Sequence, residues 1–491
     1  MKISVIGAGF SGLASAALLA RDGHEVTVFE KNASAGGRAQ VFRTDGFSFD
    51  MGPSWYLMPD VFERFFAEFG RRPADYYHLV KLDPSYRIYF GRDDYVDVPG
   101  DVEGVRALFE RHEAGSSNRL DDYLRVAEYQ YAASMNEFLY RDYKTLFDFF
   151  NRRTLKEGRK LHVFENMDDY AKRYFRSERL RRILEYSVVF LGGSPKNTPA
   201  MYSLLSHVDF NLGVWYPIGG IGSVVTALQK LSESLGAQLL FDHEVHAIVT
   251  EKGRARAIRT AHGEQVVDAV LVTADYAHAE LDLLQERDRT YGKSYWQSRT
   301  LAPSALLIYL CLDKPVEGLL HHTLSFEHDW MDHFDAIFES PSWPEKPSYY
   351  LCCPTKTDPS VAPAGMENLV LLVPLAIGLN DCDDIRERYA DRVLEGVENL
   401  LGRQITPHLR SRRLFSQRDF ASVFNAYRGT ALGLSHTLRQ TAVFRPRRRS
   451  KKVRNLYFAG QYTHPGIGLP MTLISATVTA RIMSEEMADN A

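Results

Sequence analysis

Hydrophobic positions along the chain follow two rhythms. The run Ile3 to Ile6 is rich in β-branched residues and stops at glycines, Leu13 to Ala20 is rich in helix formers, and Val26 to Phe29 is a second short apolar run. Short apolar runs bounded by glycine predict strands, and the longer stretch between them predicts a helix. The chain therefore opens as strand, turn, helix, strand. The pattern returns after Gly219-Gly220, where Val224, Val225, Leu228 and Leu231 fall at helical spacing and strands follow over Leu239–Phe241 and Val245–Val249. Near the other end, Asn455–Ala459 predicts a strand and Leu473–Met483 a helix of small and apolar residues. These three segments read as parts of one α/β unit.

Between them the character changes. Asp101–Leu212 is helix-like and rich in Arg, Tyr and Phe, whereas Ala302–Ala376 is strand-rich. In the latter, Ala305–Leu312, Ser348–Cys353 and Leu369–Pro374 are apolar or aromatic runs separated by Pro, Gly and Asp. A second sheet with insertions accounts for them.

Composition narrows the function. The 491 residues carry 59 Lys plus Arg against 62 Asp plus Glu, a net charge of −3 that calls for no nucleic-acid partner. Apolar residues make up 45 % of the chain, enough for large cores. Cys311, Cys352, Cys353 and Cys382 form no disulfide framework and no Cys-x-x-Cys metal pair, so reduced thiols in a cytoplasmic setting and no metal are expected. The N-terminus reads as a folded strand and not as a signal peptide. The longest apolar runs, Ala305–Leu312 and Leu369–Leu379, are too short to cross a bilayer. The basic run Arg445 to Lys452 reads as a solvated loop.

The strongest chemical signal is Gly7-Ala-Gly9-Phe-Ser-Gly12 between the first strand and helix. Glycines there allow a tight turn and close approach of a pyrophosphate, whose charge faces the helix N-terminus. Glu30 closes the second strand, 18 residues after Gly12, where a carboxylate can accept hydrogen bonds from ribose hydroxyls. Together they point to an adenine dinucleotide. Gly36-Gly37-Arg38 then adds backbone donors and a cation near a pyrophosphate.

With Phe47-Ser-Phe-Asp50-Met-Gly52-Pro53 and the late Ala459-Gly460, these residues resemble the FAD-dependent amine oxidase and carotenoid desaturase superfamily. Within it, Gly213-Val-Trp-Tyr-Pro-Ile-Gly-Gly220, Thr357-Asp-Pro-Ser-Val-Ala-Pro-Ala-Gly365 and Asn455 to Gly466 with Gly468-Leu-Pro470 are similar to bacterial-type phytoene desaturases. The likeness spans Met1 to about Met487, with departures at Met471-Thr472 and Gln461-Tyr462. It implies an α/β chain, α+β overall, in which a Rossmann-type FAD-binding domain (1–70, 215–285 and 450–491) is interleaved with a mixed-sheet substrate domain (71–100 and 286–449) and a helical, membrane-facing region (101–214). The implied FAD contacts are Gly7, Gly9, Phe10, Ser11, Gly12, Glu30, Lys31, Gly36, Gly37, Arg38, Gly52, Pro53, Ser54, Val245, Gly460, Leu469, Pro470 and Met471.

The implied reaction is carotenoid desaturation, foremost of phytoene towards lycopene. Hydroxycarotenoid 3,4-desaturation and carotenoid isomerisation are the near alternatives, and an amine or porphyrinogen oxidase or a prenyl-protein escort the distant ones. Hydride transfer to a flavin needs no nucleophile or metal, and none is evident in the sequence. A long hydrophobic carotenoid needs an apolar tunnel, for which Trp55, Tyr56, Met58, Trp215 and Tyr216 are candidates. Asp50 and His464 are the candidate proton acceptors, with Asp50 also suited to hold a turn; no base is assigned. The aromatic and basic stretch Phe138–Phe164 suits contact with the inner face of an anionic membrane, from which such a substrate would be drawn. Oxygen or a quinone is the expected electron acceptor.

Overall fold

The computed structural model describes residues 1–143, 162 and 164–489. The opening segment forms β1 (Lys2–Ile6), α1 (Phe10–Arg21) and β2 (Glu25–Phe29); the middle segment supplies α2 (Ile221–Ser234), β3 (Gln238–Leu240) and β4 (Ala269–Val272). The last segment supplies β5 (Leu456–Phe458) and α3 (Leu469–Ala488). The five strands pair in parallel in the order β5-β4-β1-β2-β3.

Strand residues alternate between the faces of this sheet. Ile3, Val5 and Leu271 pack on one face with Leu13 and Leu19 of α1, Leu228 of α2 and Ile474 of α3. Ile6, Val270, Val272 and Phe458 pack on the other with Ile248 and Ile258 of a three-stranded antiparallel sheet. The last helix starts at Leu469, earlier than its apolar spacing predicts, because Gly468 precedes it and a proline in the first turn costs no hydrogen bond.

The second sheet is seven-stranded, in the order Leu409–Phe415, Ser304–Leu312, Glu367–Leu375, Tyr349–Cys352, His322–Ser325, Tyr86–Gly91 and Asp94–Val98. Its pairs are antiparallel except His322–Ser325 with Tyr86–Gly91, so the sheet is mixed. The helix Asp383–Leu401 covers one face through Tyr389, Val393 and Val397, and Phe47 and Phe49 pack on the other against Leu307 and Tyr309. The helices Val102–His112, Ser116–Ala133, Met167–Tyr174 and Glu178–Glu185 share a core with Tyr86, Ile88 and Val96.

The basic run departs from its expected exposure. Arg445 and Arg448 are buried and donate to backbone carbonyls, Arg445 to those of Gln440, Gln461 and Tyr462 and Arg448 to that of His464. Five guanidinium donors make arginine suited to such a cage, and burial pushes each down to about 10. Most of the aromatic and basic stretch, residues 144–161 and 163, lies outside the described residues. No helix among the described residues is long and apolar enough to cross a membrane.

Candidate active site

One cavity of about 490 Å³ runs from the dinucleotide turn to an aromatic pocket at the second sheet. The turn is held by steric necessity. Gly7 has φ +101° and donates its N–H to Phe29 O at 2.8 Å. A Cβ on Gly12 would stand 1.9 Å from Gly7 O, so only glycine lets the helix come this close to the strand end. Gly9 bridges to Gly36, and the uncapped start of α1 faces the cavity through Phe10 and Ser11.

Glu30 is buried and fixed from two sides, by Ala8 N–H at 2.8 Å on Oε2 and by Asn32 N–H at 2.9 Å on Oε1. Arg38 lines the cavity beside Gly36 and Gly37, 3.6 Å from the Asp275 carboxylate, with its buried Nε and Nη2 lacking hydrogen-bond partners. Orphaned guanidinium donors of this kind fit an anionic or carbonyl-bearing ligand. Asp275 also accepts from the Tyr462 hydroxyl at 2.6 Å, which joins the end of β4 to the loop after β5.

Of the expected cofactor contacts, Gly7, Gly9, Phe10, Ser11, Glu30, Lys31, Gly36, Gly37, Arg38, Gly52, Pro53, Ser54, Val245, Leu469 and Pro470 line this cavity. Gly12, Gly460 and Met471 stand behind its wall. Gly12 abuts Gly7, Gly460 abuts Ser11 and donates to Ser475 Oγ at 3.0 Å, and Met471 packs on the core of α1 and α3.

The tunnel candidates divide. Trp55 lines the aromatic half, its indole stacked on the His322 ring at 4.1 Å. Tyr56, Met58, Trp215 and Tyr216 do not line it. Tyr56 turns away onto Phe62 and bonds the Tyr77 hydroxyl at 2.8 Å; Met58, at φ +57°, starts the helix Pro59–Ala67 from within the core. Trp215 donates to Leu212 O at 2.8 Å, and Tyr216 packs on His321 and donates to Asp358. Gly52, Pro53, Ser54 and Leu57 share the cavity with Trp55, whereas Tyr56 is drawn into the core by its contacts with Phe62 and Tyr77.

Neither candidate proton acceptor reaches the cavity. Asp50 accepts from Ile221 N–H at 2.8 Å and Gly222 N–H at 3.0 Å, holding the start of α2. Desolvation pushes its carboxyl up to about 6 against the pull of those two donors. His464 bonds Phe138 O at 3.1 Å, and burial beside Arg448 holds it down to about 3, hence neutral.

Several lining residues carried no recognisable signal in the sequence. Thr273, Ala274 and Asp275 follow β4, Phe424 and Asn425 end the helix Gln417–Phe424, and Tyr186, Phe326, Trp330 and His333 wall the aromatic half. His333 has both ring nitrogens engaged, by Pro374 O at 2.8 Å and Ser348 N–H at 3.0 Å. Behind the wall, His321, His322 and Cys352 bring ligand-type atoms within 4.8 Å of one another, the last two being register partners on adjacent strands.

The sequence profile of a family described as flavin containing amine oxidoreductase matches residues 10–484. A carotenoid 3,4-desaturase of Haloarcula japonica is 47 % identical over 488 residues, 99 % of this chain and 98 % of that one. A zeta-carotene-forming phytoene desaturase of Myxococcus xanthus is 37 % identical over 496 residues, 98 % of this chain and 94 % of that one. Among solved structures, an oxidoreductase from Methanosarcina mazei superposes with a TM-score of 0.66 at 17 % identity, covering 98 % of this chain and all of that one, which speaks for the fold.

Proposed function

The chain belongs to the flavin containing amine oxidoreductase family, an FAD-dependent group of oxidoreductases, and from that premise we propose that it is a carotenoid desaturase. The observation that carries this reading is the continuity of one cavity. At one end it offers glycines, Glu30 and the orphaned donors of Arg38; at the other it is walled by Trp55, Tyr186, Phe326 and Trp330. A nucleotide needs the first end and a polyene the second.

In this reading residues 1–70, 215–285 and 450–491 hold the flavin, 71–100 and 286–449 the substrate, and 101–214 covers it and meets the membrane. Glu30 holds the ribose, the turn Gly7–Gly9 and the start of α1 take the pyrophosphate, and Arg38 with Gly36 and Gly37 steadies the redox end. Bound there, FAD supplies a two-electron acceptor for a hydride from an allylic carbon. The aromatic walls keep water from the charge that develops on the polyene and hold the reacting bond in one place. Oxygen or a quinone completes the cycle.

Two steps compete. Phytoene desaturation is one; the 47 % identity to a 3,4-desaturase favours the other, which acts on a carotenoid that is already conjugated. The test is anaerobic incubation of FAD-loaded protein with vesicles carrying phytoene or a hydroxylated, partly desaturated carotenoid, following flavin bleaching and products by chromatography. Bleaching with either substrate supports a desaturase and names its step; bleaching by amines alone would remove the reading.

A further inference from the structure

Tyr186 forms part of the cavity wall next to Trp55. Its hydroxyl donates to Asp209 Oδ2 at 2.9 Å, and the Tyr86 hydroxyl donates to the same oxygen at 2.7 Å. Asp209 is only 6 % exposed, and its Oδ1 has no hydrogen-bond partner. Asp381 and Glu367, also buried, have the cations Arg386 and Lys356, and buried Glu30 and Glu280 are held by backbone N–H groups. Among the described residues Asp209 has two phenols and no cation beside it, and burial raises it to about 7. An uncompensated buried carboxylate is costly, and a fold that keeps one against a cavity wall suits a positive charge that arrives only in the reaction.

The desaturation proposed above creates such a charge. One C–H bond of a CH2–CH2 unit breaks with its electron pair going to the flavin, which leaves a single positive charge spread over the polyene. The neighbouring carbon then loses a proton, and its bonding pair becomes the new double bond. Two hydrogens leave, one as hydride and one as a proton that needs an acceptor. Asp50 and His464 are engaged away from the cavity, and His333 has no free nitrogen.

We propose that the Tyr186–Asp209 pair takes that proton: the substrate's proton passes to the Tyr186 oxygen as the Tyr186 hydrogen moves to Asp209, whose carboxylate first balances the charge on the polyene. This rests on the desaturase reading, but its main test does not need turnover.

Asp209→Asn keeps an oxygen for both phenols and removes the charge. The holoenzyme is titrated in detergent micelles with a long-chain tertiary amine, protonated at mid-chain, and with the hydrocarbon of the same shape, reading tryptophan quenching. The expected result is about tenfold tighter binding of the ammonium probe to the native protein, lost in Asp209→Asn and partly kept in Asp209→Glu. With a carotenoid that bleaches the flavin, Asp209→Asn is expected to slow bleaching at saturating substrate by about a hundredfold with KM unchanged, and Tyr186→Phe, which keeps the carboxylate, to make the desaturated product lag behind bleaching. An ammonium preference that survives Asp209→Asn, in a protein with native circular dichroism, overturns the proposal. A native protein that prefers the ammonium probe yet oxidises no carotenoid overturns the desaturase reading and leaves the charged pair standing.

Discussion

Lys31 Nζ donates to Asn425 Oδ1 at 2.6 Å, so the residue after Glu30 grips the end of the helix Gln417–Phe424, almost four hundred residues later in the chain. The same ammonium reaches Ser422 O at 2.6 Å, Asn32 Nδ2 reaches Val423 O at 3.2 Å, and the Arg38 guanidinium lies 6.0 Å from the Phe424 ring. Val423, Phe424 and Asn425 line the same cavity as Glu30 and Gly37, and so form a strap at its dinucleotide end. Asn425→Ala removes the charge-assisted bonds to Lys31 and Glu244 and the contact with His278, and flavin release, followed by the rise of free-flavin fluorescence on dilution, is expected to quicken about tenfold. An unchanged release rate would place the exit elsewhere.

Glycine at position 12 carries a sharper expectation. In Gly12→Ala the new methyl would sit 1.9 Å from Gly7 O and 2.8 Å from Thr273 Oγ1, against backbone that has no room to yield. The variant should purify without flavin and melt several degrees lower. Gly396→Ala is the control: it lies in the helix Asp383–Leu401 with nothing near its missing Cβ, and should stabilise by about 1 kcal/mol.

Asp50 makes stability depend on pH in a known direction. Its carboxyl titrates at about 6 in the fold and 3.8 in the unfolded chain, so between those values the fold holds a proton that the unfolded chain has lost. Raising the pH through this window therefore costs the native protein about 3 kcal/mol relative to Asp50→Asn, with no further change above it. Urea denaturation of both proteins at about pH 4 and pH 7 checks the sign. A gap that stays constant would mean that Asp50 remains ionised throughout.

Membrane contact is tested through the aromatic and basic stretch. Deletion of residues 144–160, the middle of the stretch Phe138–Phe164, is expected to abolish pelleting with anionic liposomes, with flavin content read alongside. Unchanged pelleting would refute the assignment.

The dinucleotide end was legible in the sequence because its constraints are local. Gly7, Gly12 and Glu30 are tied to one turn within a single strand–helix–strand unit, and each needs its own residue type. The aromatic half was not, because it is assembled by topology: Tyr186 follows the helix Glu178–Glu185, Trp330 and His333 share the helix Trp330–Phe338 much later in the chain, and no spacing records their meeting. Trp55 faces the cavity and its neighbour Tyr56 does not, because Tyr56 is held by Phe62 and Tyr77, partners that spacing does not reveal. Arg445 and Arg448 were read as solvated from their charge, whereas the carbonyls that enclose them belong largely to a loop some sixteen residues further on.

The order of strands in the parallel sheet has a consequence for synthesis. β1 lies between β2, made at once, and β4, made more than two hundred residues later, and β4 in turn waits for β5 at Leu456. At about 5–20 residues per second the ribosome needs tens of seconds between the first strand and the last. During that interval the glycine turn exists without the loop after β5, whose Tyr462 ties down Asp275. Flavin loading is thus an event of the finished chain, and a truncated nascent product is expected to sediment with chaperones and to stay colourless.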